Sequence, residues 1–148
     1  MKSCFQTSTQ NILEHGLAVH DAYLELPFNI NPDWYVNYAD QIYIEVSKHD
    51  PEKIKEYQLM HDCGKPFCIP DGIQKFPNHA LVSAEIYQSI SSDELIATWI
   101  RHDMDLHIMP ASQVPEFITL PGFEVLMLTA LAELNANASM FGGKESTS

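Results

Sequence analysis

The chain has 148 residues, 45% of them hydrophobic, which is enough to bury one good-sized core, so a single domain is expected. With 20 acidic residues against 8 basic ones the net charge is -12, and no Lys/Arg cluster exists, which argues against polymer nucleic acid as a ligand. No apolar run reaches the length of a membrane span and no signal-peptide pattern opens the chain, so a soluble, cytoplasmic protein without a membrane partner is expected.

Residues 8–26 begin with a Ser/Thr cap and carry Ile12, Leu13, Leu17, Val19, Leu24 and Leu26 near a 3.6-residue period, which predicts a helix stopped by Pro27. His15 and His20 are five residues apart on it, so at most one of them faces a given site. After a turn-rich loop over 27–33, Asp33 is expected to cap a helix over 34–48, with Tyr38, Ile42, Ile44 and Val46 as its apolar contacts. Asp50-Pro51 is a strong start signal, aspartate as N-cap and proline at the first helical position. The helix it opens carries Ile54, Tyr57, Leu59 and Met60 and runs into His61-Asp62-Cys63-Gly64-Lys65-Pro66. Adjacent helical residues point about 100° apart, so His61 and Asp62 converge only if the helix ends there.

A loop over 65–75 with Pro66 and Pro70 lies beside that pair and is expected to shape access to it. A fourth helix follows over 78–90, with His79 in its first turn. Ser91-Ser92-Asp93-Glu94 has the form of a capping box and predicts a fifth over 93–104, ending in Arg101-His102-Asp103-Met104-Asp105. Three prolines make 106–121 mostly loop with one short turn at most, and a last helix is expected over 122–140, before a disordered tail at 144–148. The reading is all-α, a helical bundle of about six helices. The three cysteines, Cys4, Cys63 and Cys68, have neither the number nor the spacing of a disulfide framework or zinc ribbon, so reduced thiols are expected.

Four of the seven histidines, His15, His61, His79 and His102, fall in four different predicted helices, two of them followed by aspartate at a helix end. Imidazole and carboxylate together suit zinc, manganese, iron and similar ions. Gathered in a bundle, these residues make a one- or two-metal site, with Lys65 within reach of an anion on the ion. The plainer alternative is a helix C-cap with Gly64 at C′ and a set of individually hydrogen-bonded histidines. His20, His49 and His107 are assigned plain roles: helix face, exposed last turn favoured by the helix dipole, and loop.

Leu13-Glu14-His15-Gly16-Leu17-Ala18-Val19, His61-Asp62-Cys63-Gly64-Lys65-Pro66, Phe76-Pro77-Asn78-His79 and Trp99-Ile100-Arg101-His102-Asp103-Met104 occur in that order. In this the chain resembles the HD-domain metal-dependent phosphohydrolases, with the last two elements similar to the HD region of bacterial tRNA nucleotidyltransferases. The resemblance spans about residues 11–137. It departs in the last helix: where the family has alanine-aspartate, this chain reads Ala132-Glu133-Leu134-Asn135, and Glu133 is the best match.

The resemblance implies an HD-domain bundle holding one or two divalent transition ions (Mn, Fe, Co, Ni or Zn). His15, His61, Asp62 and Glu133 would hold one, and His79, His102 and a bridging Asp62 the second. A metal-activated water would attack a small phosphorylated substrate, a nucleotide phosphomonoester or cyclic phosphodiester. Lys65 and Arg101 would neutralise its phosphate, and Asp103 or Asp105 would orient a ligand histidine or protonate the leaving oxygen. Two alternatives stay open: a nucleoside triphosphate hydrolase of the same fold, and a non-catalytic ligand-binding relative. Tyr57, Phe67, Tyr87 and Trp99 fit core packing better than base stacking.

Overall fold

The computed structural model describes residues 12–63 and 79–140, with the side chains of 139 and 140 left out. These residues form an all-α bundle of six longer helices and two single turns: α1 (Ile12–Glu25), α2 (Asp33–Val46), α3 (Pro51–Met60), α4 (His79–Ile90), α5 (Glu94–Arg101), α6 (Asp105–Ile108), α7 (Val114–Phe117) and α8 (Phe123–Met140). α1 lies between α3 and α8, α3 also meets α5, α5 pairs with α4, and both α2 and α6 rest on α8. No described helix is long and apolar enough to cross a membrane. Gly64, Lys65, the loop after it, Cys4, Cys68 and the 144–148 tail lie outside the described residues.

The helix starts show which local signals the backbone obeys. Asp50 caps α3 as expected, its carboxylate accepting the Glu52 N–H at 2.9 Å with Pro51 in the first turn. Asp33 does not cap α2: Pro32 holds the N-cap position and Asp33 is the first helical residue, where its charge still suits the positive helix end. The cap of α5 is Asp93 rather than Ser91. Asp93 Oδ1 accepts the Ile96 N–H at 2.9 Å, its other oxygen meets Lys53 Nζ at 2.9 Å, and Ser91 Oγ accepts the Asp93 N–H. α8 starts after Gly122, whose φ of +70° favours glycine and whose absent Cβ would stand 2.8 Å from the Trp99 ring.

The core is built on Tyr57, Tyr87, Ile96, Trp99, Ile100, Leu126 and Leu128, all fully or almost fully buried. Trp99 is also tied down by its indole N–H donating to the Pro121 carbonyl at 2.9 Å. Several expected packing residues face outward instead: Leu17, Leu24, Tyr38 and Ile44 are exposed. The proline-rich stretch after α5 holds more helix than its composition suggests, namely α6, a 3₁₀ turn at Ala111–Gln113 and α7. His49 is not a free last-turn residue either; its ring stands edge-on to Trp99, centroids 5.4 Å apart.

Candidate metal centre

Three helices deliver four ligand-type side chains to one buried point. His15 comes from α1, His61 and Asp62 from the end of α3, and Glu133 from α8; one nitrogen or oxygen from each lies within 4.8 Å of all the others. His15, His61 and Asp62 are each 1% exposed and Glu133 14%. Local backbone explains the first three. Gly16 lets α1 approach so closely that a Cβ there would be 2.8 Å from the Leu59 carbonyl oxygen, which sets His15 beside the end of α3. His61 is the C-cap of α3, so the chain leaves the helix between His61 and Asp62 and their side chains converge, with His61 Nε2 3.4 Å from Asp62 Oδ2.

The register of α3 on its neighbours is pinned by Gln58. Its amide donates to Thr129 Oγ1 on α8 at 3.0 Å, its side-chain oxygen meets His20 Nδ1 of α1 at 2.7 Å, and its carbonyl accepts from His61 Nδ1 at 2.7 Å. His20 is thus a structural donor. A carbonyl only accepts, so His61 carries a proton on Nδ1 and turns Nε2 to the centre, where it has no hydrogen-bond partner among the described residues.

The spacing inside the cluster fits a shared cation. His15 Nε2 lies 3.4 Å from Glu133 Oε1 and 3.9 Å from Asp62 Oδ2, and His61 Nε2 lies 3.7 Å from Glu133 Oε1. Ordinary N–H···O bonds are about 2.7–3.2 Å, so these contacts are at or beyond their outer edge. Two ligands each about 2.1 Å from one ion stand roughly 3.4 Å apart at the tetrahedral angle and about 4 Å at wider angles. Two buried carboxylates facing two imidazoles also need positive charge to be stable. The cluster can therefore hold a metal ion, with two nitrogen and two oxygen donors.

Electrostatics agree. Burial pushes the Glu133 carboxyl up, but the facing His15 and His61 outweigh it and hold it well below the usual carboxylate range. Burial pulls His61 down, yet Asp62, then Asp103 and Glu133, raise it well above its ordinary value. A cation at His61 Nε2 is favoured, whether proton or metal.

The other expected site residues divide. His79 Nε2 stands 3.5 Å from Asp62 Oδ1, on the oxygen that faces away from His61, which suits a bridging Asp62. His102 is not brought into the cluster. Its Nδ1 is paired with Asp105 Oδ2 at 2.7 Å and it lines a cavity of about 320 Å³ with Asp105, Met109, Gln113 and Phe117, none of them cluster residues. Asp105 thus orients His102, one of the histidines that the resemblance implies as ligands. Arg101 is exposed on the surface, and its guanidinium donates to Gln88 Oε1 at 3.4 Å. Asp103 is buried and accepts the Tyr57 hydroxyl proton, and burial, with Glu133 and Asp62 adding, pushes its carboxyl up to about 7 against the pull of His61. It acts on the centre by charge rather than by contact. Lys65 lies outside the described residues.

One residue that the sequence reading set aside belongs here. His107, on α6, points Nε2 at Glu133 Oε2 from 3.8 Å. Only the docking of α6 on α8 reveals it. Cys63, next to the pair, is a buried free thiol against the Ser83 carbonyl. Comparison of the chain with protein-family models, with curated proteins and with solved structures finds no match to any of them.

Proposed function

We propose that this protein is a metal-dependent phosphohydrolase of the HD class, acting on a small nucleotide phosphomonoester or cyclic phosphodiester. The observation that carries the reading is the buried His15–His61–Asp62–Glu133 cluster, assembled from three helices in the chain order that the resemblance requires. Those four residues would hold the ion. When bound, it supplies an electrophile for phosphate and lowers the pKa of a coordinated water.

The chain's own residues supply the rest. The Gln58 carbonyl fixes the His61 tautomer, so that ligand need not reorganise. Asp62 presents one oxygen to His15 and His61 and the other to His79, the arrangement of a carboxylate that serves two positions. Lys65 is the residue proposed to meet the substrate phosphate. Among described cations, Lys48 pairs with Glu45, Lys53 with Asp93, Arg101 turns to Gln88, and Lys55 lines clefts that contain no cluster residue. That leaves a triphosphate with little to hold it and favours a substrate with a single phosphate.

The test is phosphate release from a panel of nucleoside 3′- and 5′-monophosphates and cyclic nucleotides. The protein is first stripped with chelator and then given manganese, iron, cobalt, nickel or zinc. Turnover that returns with metal and is absent from His61→Ala and Asp62→Ala supports the reading. Metal-loaded protein that turns over no member of the panel above the variants would leave the non-catalytic ligand-binding domain as the better account.

A further inference from the structure

We infer that Glu133 is a bridging carboxylate and that His107 is a metal ligand, so that a second divalent cation position lies between Glu133 Oε2 and His107 Nε2. This rests on the reading above that the His15–His61–Asp62–Glu133 cluster binds a divalent ion. It differs from the expectation that His79 and His102 build the second position on Asp62.

Three observations carry it. The Glu133 carboxylate is split between two surroundings: Oε1 faces His15 at 3.4 Å and His61 at 3.7 Å, while Oε2 faces His107 at 3.8 Å, its one ion-pair contact among the described residues. Glu133 Oε2 is also fully buried with no hydrogen-bond partner among the described residues. A buried carboxylate oxygen in that state is costly unless a cation meets it. Finally, 3.8 Å is too long for a hydrogen bond but suits two ligands sharing one ion at a wide angle, as in the central cluster.

His102 lines a cavity none of whose other lining residues belongs to the cluster, whereas His107, two residues further along the same short turn of helix from Asp105, is aimed at Glu133. The extra methylene of glutamate gives a physical reason for Glu133 in the last helix: a shorter aspartate on α8 would not reach both His15 and His107. Imidazole nitrogen and carboxylate oxygen suit manganese, cobalt, zinc or iron. With only two protein ligands, the remaining coordination positions stay open to water and to a phosphate oxygen of the substrate. The position would thus serve to bind substrate phosphate in a site short of described cationic side chains.

The experiment is a manganese titration of chelator-stripped protein, followed by calorimetry and by electron paramagnetic resonance, on wild type, His107→Ala, His102→Ala and the His61→Ala/Asp62→Ala double variant. Wild type should bind two ions with a spin-coupled signal. His107→Ala should keep the tighter ion, lose the weaker one or bind it roughly tenfold or more weakly, and give the signal of isolated manganese. His102→Ala should match wild type. His107 sits on a one-turn surface helix, and should His107→Ala melt early, His107→Gln, which keeps the bulk and loses the imidazole, decides the point. Identical ion counts, affinities and spectra for wild type and His107→Ala, or loss of the second ion in His102→Ala instead, would overturn the inference while leaving the central cluster intact. A wild type that binds no manganese, like the double variant, would overturn both.

Discussion

Replacing Gly16 by alanine tests whether the approach of α1 to α3 builds the metal centre. The new Cβ would stand 2.8 Å from the Leu59 carbonyl oxygen, 2.9 Å from Leu59 Cα and 3.2 Å from the Gln58 carbonyl oxygen. Nonbonded contacts settle near 3.5 Å, so the two backbones must part by about 0.7 Å. No side-chain rotation relieves the clash, because every atom met belongs to the α3 backbone. His15 is the neighbouring residue, and its contacts of 3.9 Å to Asp62 and 3.4 Å to Glu133 open with the helix. Alanine in a helix is favoured over glycine by about 1 kcal/mol, whereas overpacking costs about 1–3 kcal/mol. The stripped protein should therefore lose between nothing and about 2 kcal/mol. Manganese affinity should fall about tenfold or more, that is, by at least about 1.4 kcal/mol. Thermal melts with and without manganese, with calorimetric titration, read both quantities. A variant that melts higher than wild type and binds manganese equally well would refute the argument, since propensity would then have won without any movement of His15.

Two further predictions concern protons. His61 is held protonated well above its ordinary value by Asp62, Asp103 and Glu133, and a metal needs the bare Nε2, so metal and proton compete. Manganese affinity should rise with pH by up to about tenfold per pH unit near neutrality, with about one proton released per ion; titrations in buffers of different ionisation enthalpy measure the proton, and a pH-independent affinity would contradict the assignment. Asp103 is raised from 3.8 to about 7 in the folded chain, so between those values the folded state keeps a proton that the unfolded state has lost. Its contribution thus favours folding at low pH and turns unfavourable as pH rises through that window. Asp103→Asn, which still accepts from Tyr57, should remove this decline, and in chelator its stability relative to wild type should improve by a few kcal/mol from pH 4 to pH 8; an unchanged difference in melting temperature across that range would contradict it.

Much of the centre was legible because it depends on short-range signals. Asp50-Pro51 sets the start of α3, and counting from that start puts His61 at the end, where a helix can turn two adjacent side chains together. His15 and Glu133 followed from their place in the resemblance, and the close packing allowed by Gly16 is what sets His15 beside the end of α3. Capping was harder to read. Asp33 and Ser91 each look like N-caps, but a neighbouring residue takes the position and they fall one residue inside and two residues before it. His102 and His107 show the limit of spacing arguments. Both lie near the end of α5, and only the direction of the single turn α6, set by its docking on α8, decides that His107 faces Glu133 while His102 pairs with Asp105.

The account turns on whether the buried cluster holds a metal. Elemental analysis of the protein purified without an affinity tag, beside the His61→Ala/Asp62→Ala variant, measures this directly. The account predicts one or two transition-metal ions per chain in the wild type, as purified or after soaking in manganese, iron or zinc, and none in the variant. A folded wild type that holds no ion after soaking, or a variant that retains as much metal as the wild type, would contradict it.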